Sequence, residues 1–84
     1  MKHYASNNFW EAYERLPASV RKLADQKFAL LKRDPKHPSL HFKKVRKYWT
    51  VRIGIHYRAI ATEAGDDMHW HWIGSHADYD GQIL

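Results

Sequence analysis

The hydrophobic period of this chain changes once, at Asp34-Pro35-Lys36-His37-Pro38, and that change limits the folds open to it. Upstream, Val20, Ala24, Phe28 and Leu31 recur at spacings of three and four, with Leu23 and Leu30 flanking the stripe. Such spacing puts apolar side chains on one face of a helix, here expected from about residue 17 to 33. Pro17 is tolerated in the first turn, where its missing N–H has no helical partner, and the two later prolines end the helix. A shorter helix is expected over "NNFWEAYERL", with Asn8 as cap, Glu11 three residues on, and Phe9, Tyr13 and Leu16 on one face.

Downstream the period is two. "LHFKKV" alternates weakly, whereas "YWTVRIG" sets Trp49, Val51 and Ile53 against Tyr48, Thr50 and Arg52. "HYRAIAT" sets Tyr57, Ala59 and Ala61 against His56, Arg58 and Ile60, and "MHWHWI" sets Met68, Trp70 and Trp72 against His69, His71 and Ile73. Alternation of this kind marks half-buried strands, and "EAGDD" reads as a hairpin turn between the last two. Helices followed by strands specify an α+β domain. The expected architecture has two N-terminal helices on one face of an antiparallel sheet of about four strands, then a short C-terminal helix or tail. Residues 1–84 form a single domain, too short to cover both sheet faces, so one face stays open.

The chain has no cysteine, which removes disulfides and thiolate metal sites from consideration. Its start, "MKHYASNNFW", has no apolar signal segment, and the longest uninterrupted apolar run, "FALL", is far too short to span a bilayer. A cytoplasmic protein without membrane contact is expected. Charge is unevenly spread: residues 31–52 carry eight Lys or Arg against one Asp, and residues 62–84 carry five acids and no Lys or Arg. A basic middle favours a polyanion or an acidic protein segment as partner.

Three groups of residues bear on chemistry. His69 and His71, with His76 further on, invite a metal reading, but no carboxylate or cysteine stands at ligand spacing. They read better as strand-face histidines, so neither a metal nor a cofactor is expected. Arg52, His56 and Arg58 lie on neighbouring strands, where two guanidiniums can converge on one phosphate. In "GSHADYD", His76 and Tyr79 follow the last strand; the plain account is a helix start capped by Ser75, the functional one an imidazole at an open cleft. Imidazole, guanidinium and ammonium groups suffice for RNA cleavage by the ribose 2′-OH.

The segments "LPASVRKLADQKFALLKRDPKHPSLHFKKV", "YWTVRIGIHYRAIA" and "WIGSHADYD" resemble, in order and spacing, the RelE/ParE superfamily of bacterial type II toxins. The resemblance implies a toxin neutralised by a cognate antitoxin and acting in one of two ways. One branch cleaves mRNA, often on the ribosome, without metal; the ParE branch inhibits DNA gyrase. A degenerate member that only binds an antitoxin is a third expectation. Carried over by position, the resemblance implies that His76 is a catalytic acid or base and that Arg58 contacts the scissile phosphate, with Arg52 near substrate. It places Lys43 and Lys44 in a segment facing RNA. Tyr48 and Tyr79 are the aromatics expected on the substrate side. The chain departs from the pattern in three places: "HPSL" lacks an acid, the N-terminal strand is reduced to "KHYAS", and Asp78 and Asp80 would oppose a phosphate. His56 is the candidate replacement for the missing base. The antitoxin is expected over the sheet face or in a helix groove.

Overall fold

The computed structural model describes residues 1–83. In chain order the elements are β1 (His3–Ala5), α1 (Asn7–Glu14), α2 (Ala18–Arg33), a 3-10 turn (Pro38–Leu40), β2 (Lys43–Val45), β3 (Tyr48–Ile53), β4 (Tyr57–Ala64), β5 (Asp67–Ser75) and α3 (His76–Ile83). The strands form one sheet in the order β1-β5-β4-β3-β2. Strands β2 to β5 are the expected antiparallel meander. The sheet has a fifth strand beyond the expected four: "HYA" pairs parallel to β5, with His3 opposite Met68 and Ala5 opposite Trp70. Three residues are too few to display a period, and their partners lie more than sixty positions away.

Helix α1 starts one residue before Asn8, because Ser6 takes the cap: its extended backbone leaves β1 and its hydroxyl accepts from the Phe9 N–H at 3.2 Å. Phe9, Ala12 and Leu16 are buried, and Tyr13 is half-buried. In α2 the stripe faces inward through Ala24 and Leu31, both with 0% exposure. Lys32 and Arg33 occupy its last turn, where cations suit the negative end of the helix dipole. The core lies between these helices and one face of the sheet, where Val51, Ile53, Ala59, Trp70 and Ile73 meet Leu31 and Leu40. Each fully buried Leu or Ile contributes about 1.5–3 kcal/mol by transfer from water. Phe28 packs edge-on against Trp70, ring centroids 5.0 Å apart, and also against Phe9 at 5.8 Å.

The expected alternation fails at one point in β5. Ala61 pairs with Trp70 but Ile60 pairs with Trp72, so His71 is an extra residue without a partner of its own. This bulge moves Ile73 to the core and turns Trp72 to the face of Ile60, reversing the sides expected for both. Gly74 makes the turn possible: a Cβ there would stand 2.3 Å from Cζ2 of Trp72.

Candidate anion site on the open sheet face

The second face of the sheet carries a small polar cleft of about 180 Å³, roofed by α3. Its wall starts with Arg52 and Arg58, which are direct cross-strand partners on β3 and β4. Like charges directly opposite each other repel, so this pair is unfavourable until an anion or a fixed dipole offsets it. Part of that offset is internal. The Gly54 carbonyl accepts from Nε of Arg52 at 3.4 Å and from a terminal nitrogen of Arg58 at 3.2 Å. Arg58 also donates to the Tyr57 carbonyl at 2.8 Å. Gly54 holds this position with φ +70, and a Cβ would stand 2.8 Å from Leu23, so no other residue fits without movement. The Arg58 pKa is lowered, first by burial and then by the Arg52 charge, while Tyr79 opposes the shift. A guanidinium remains charged through such a shift.

Lys43 pairs with Thr50 across β2 and β3, which puts its side chain on this face; Thr50, 2% exposed, belongs to the lining. From α3 come His76 and Tyr79, one helical turn apart, with rings edge to face at 5.8 Å. Helix α3 is fixed at its start by two bonds. The His76 N–H donates to the His56 carbonyl at 2.7 Å, and the Asp78 N–H donates to Ser75 Oγ at 3.3 Å. Capping of the tail and presentation of His76 to the cleft are therefore the same structural event.

Two cleft residues, Thr50 and His41, had no counterpart among the sequence candidates, and His41 is the one with a titratable side chain. His41 follows the 3-10 turn in a left-handed conformation, φ 46, and its Nε2 lies 3.3 Å from a terminal nitrogen of Arg52. For a residue other than glycine that conformation costs about 1–2 kcal/mol. "LHFKKV" was expected to be strand throughout, and alternation alone assigns His41 no role; only the turn at Pro38–Leu40 aims it here.

The other candidates lie elsewhere. Lys44 pairs with Trp49 on the opposite face and forms a 2.7 Å ion pair with Glu63, the one such pair among the described residues. His56 is exposed in the β3–β4 turn and contributes its carbonyl, not its imidazole. Tyr48 is on the open face but in an adjoining hollow with Trp72. Asp78 lines a separate depression beside Arg15 and Pro17, and no carboxylate lines the arginine cleft. For Asp78 the concern that it would repel a phosphate is met by the direction in which α3 presents it, into that separate depression; Asp80 is exposed and is not part of the cleft lining. His69 stacks on Tyr4, and His71 bonds Thr62 at 2.6 Å. Among the described residues no group of three or more His, Asp or Glu is gathered as a metal site.

A larger groove, about 590 Å³, lies on the helix side between β1, α1 and α2. Its lining is largely aromatic, including Phe9, Trp10, Phe28 and Trp70, and Trp10 is half-exposed at its rim. No helix among the described residues is long and apolar enough to cross a membrane.

Residues 18–81, most of the chain, match the ParE-like toxin domain family, and the chain belongs to that family. Solved structures agree on the fold across the RelE/ParE superfamily. A chain of the RelB–RelE antitoxin–toxin complex of Methanococcus jannaschii superimposes with TM-score 0.75 at 15% identity, covering 96% of this chain and 99% of that one. The YoeB/ParE toxin of Agrobacterium tumefaciens gives 0.67 at 20% identity, with 90% and 99% covered. The isolated RelE toxin of E. coli gives 0.64 at 11% identity, with 99% and 98% covered. No curated protein matches the chain in sequence.

Proposed function

We propose that this toxin-family protein is an endoribonuclease acting on mRNA, with the arginine cleft as its active site. The observation that carries the reading is a cleft with paired arginines and no carboxylate, with an imidazole on the helix above it. Arg52, Arg58 and Lys43 would hold the scissile phosphate and stabilise the charge that builds on it. One imidazole takes the proton of the ribose 2′-OH, whose oxygen bonds to phosphorus. The bond from phosphorus to the 5′-oxygen breaks, a second acid protonates that oxygen, and a 2′,3′-cyclic phosphate remains. His76 is assigned one of these proton transfers and His41 the other, in place of His56. Tyr79 is positioned to bear on the ribose or base at this phosphate.

The proposed partner that shuts the activity off is a cognate antitoxin. The aromatic groove beside α1 is the surface assigned to it, and an acidic segment would suit the basic stretch 31–52. One other reading is compatible with a ParE-like toxin domain: inhibition of DNA gyrase without nuclease activity.

Induced expression of the native chain, His76→Ala and Arg58→Ala, followed by growth and mRNA integrity, tests the proposal. Growth arrest with mRNA cleavage is expected for the native chain, falling by about 10²–10⁴-fold in His76→Ala while the circular dichroism of the fold is kept. Arrest that persists in both variants with mRNA intact would replace this reading with the gyrase one. Absence of arrest would leave an antitoxin-binding member of the family.

A further inference from the structure

We propose that the hollow between Tyr48 and Trp72 is a nucleobase subsite, receiving the base adjacent to the phosphate held at Arg52 and Arg58. The inference rests on the RNA reading above and extends it to a residue set that would read sequence.

The two hollows are consecutive along the same strands. Tyr48 precedes Thr50 and Arg52 at two-residue intervals on β3, and Ile60 follows Arg58 at the same interval on β4. Ile60 thus lies two residues from Arg58, about 6.5–7 Å, a separation that one nucleotide of an extended strand can bridge, while Tyr48 lies four residues from Arg52, beyond Thr50. Trp72 reaches this face only because of the β5 bulge, which pairs it with Ile60. The missing side chain of Gly74 leaves the space in which the Trp72 ring lies close to the strand.

The chemistry of the hollow, about 360 Å³, fits a base. Tyr48 and Trp72 are half-buried aromatic walls, and Ile60, 3% exposed, is an apolar floor. Base–aromatic stacking contributes about 1–3 kcal/mol per base. Along one edge the Thr62 hydroxyl and Nε2 of His71 are 2.6 Å apart, a donor–acceptor pair able to meet the polar edge of a base. Lys47 completes the charge match: its Nζ lies 5.4 Å from the Tyr48 ring centroid, and no carboxylate lines the hollow. The alternative occupant, an apolar peptide side chain, would leave the Lys47 charge at the mouth of the hollow without a counterpart.

Binding of a trinucleotide made non-cleavable by 2′-O-methylation, and of three versions each abasic at one position, tests this by calorimetry. Tyr48→Ala should weaken the full trinucleotide about 5- to 100-fold. That loss should vanish for one abasic version, whereas Arg58→Ala should weaken all four. Equal weakening of all four by Tyr48→Ala, or none, would overturn the subsite, as would native protein that binds none of them. Base-dependent binding alongside intact cellular mRNA would support the subsite while sinking the nuclease reading, so the two failures are distinguishable.

Discussion

The arginine cleft and the aromatic groove lie on different sides of the same sheet, and they solve opposite problems. The cleft is small, about 180 Å³, and gathers cationic and imidazole groups around one buried threonine. The groove is about three times larger and is walled by rings, with Asp25 and Lys32 among its few charged residues. A charge concentrated in a small, half-buried space suits a compact anion, because fixed dipoles and cations there are screened less than on an open surface. A broad apolar surface suits a protein segment, whose affinity comes from burying a few large side chains. The protein can present both because α1 and α2 cover one face of the sheet, whereas α3 roofs only part of the other.

The largest effect that would sharpen this contrast is expected in the groove. Trp10→Ala removes a half-exposed ring and should raise the dissociation constant of the proposed antitoxin complex by about 30-fold, the scale of a 2 kcal/mol anchor. The thermal midpoint should hardly move. An unchanged constant would shift the antitoxin off this groove.

Lys43 and Lys44 provide the second test, since they are neighbours in sequence on opposite faces. Lys43→Ala should weaken RNA binding several-fold and lower the slope of log K against log salt by about 1, the signature of one lost phosphate contact. Lys44→Ala, which breaks only the exposed pair with Glu63, should leave the slope as it is. Equal effects from both would mean that RNA does not distinguish the two faces.

The smallest effect concerns pH and the groove. Nδ1 of His3 accepts a hydrogen bond from Nε1 of Trp70 at 3.0 Å. Its pKa lies below the ordinary 6.5, first because it is buried and then because of the Lys32 and N-terminal charges. As pH falls through 6.5 the unfolded chain therefore takes the proton before the folded one, and stability drops until the lowered folded pKa is reached. Above 6.5 this contribution is constant. Chemical denaturation at pH 5 to 8 should show native protein losing stability on the acid side relative to His3→Gln; parallel curves would remove His3 as the cause.

Much of the fold was legible in the sequence, though unevenly. The stripe from Val20 to Leu31 located α2 to within a residue, and the alternation around Val51 and Ala59 located β3 and β4. The weak alternation of "LHFKKV" puts Lys43 and Lys44 on opposite faces, a separation that family resemblance obscured by treating them as one basic segment. The site was legible in part: Arg52, Arg58, Lys43, His76 and Tyr79 meet in one cleft. His41 was not, because a left-handed turn determines its direction and no period records such a turn. The side of Trp72 was not, because a single unpaired residue reverses every position after it.

What the sequence determined by itself was periodicity and composition: which segments are helix or strand, which face is apolar, and that acids are kept apart from the basic middle. Those properties are local, set by side-chain spacing over one or two turns. Tertiary structure alone decided which strand pairs with "HYA", which of seven histidines reaches the arginines, and which depression Asp78 lines. These depend on partners distant in the chain, whose registers and turns are settled only when the whole sheet closes on its core.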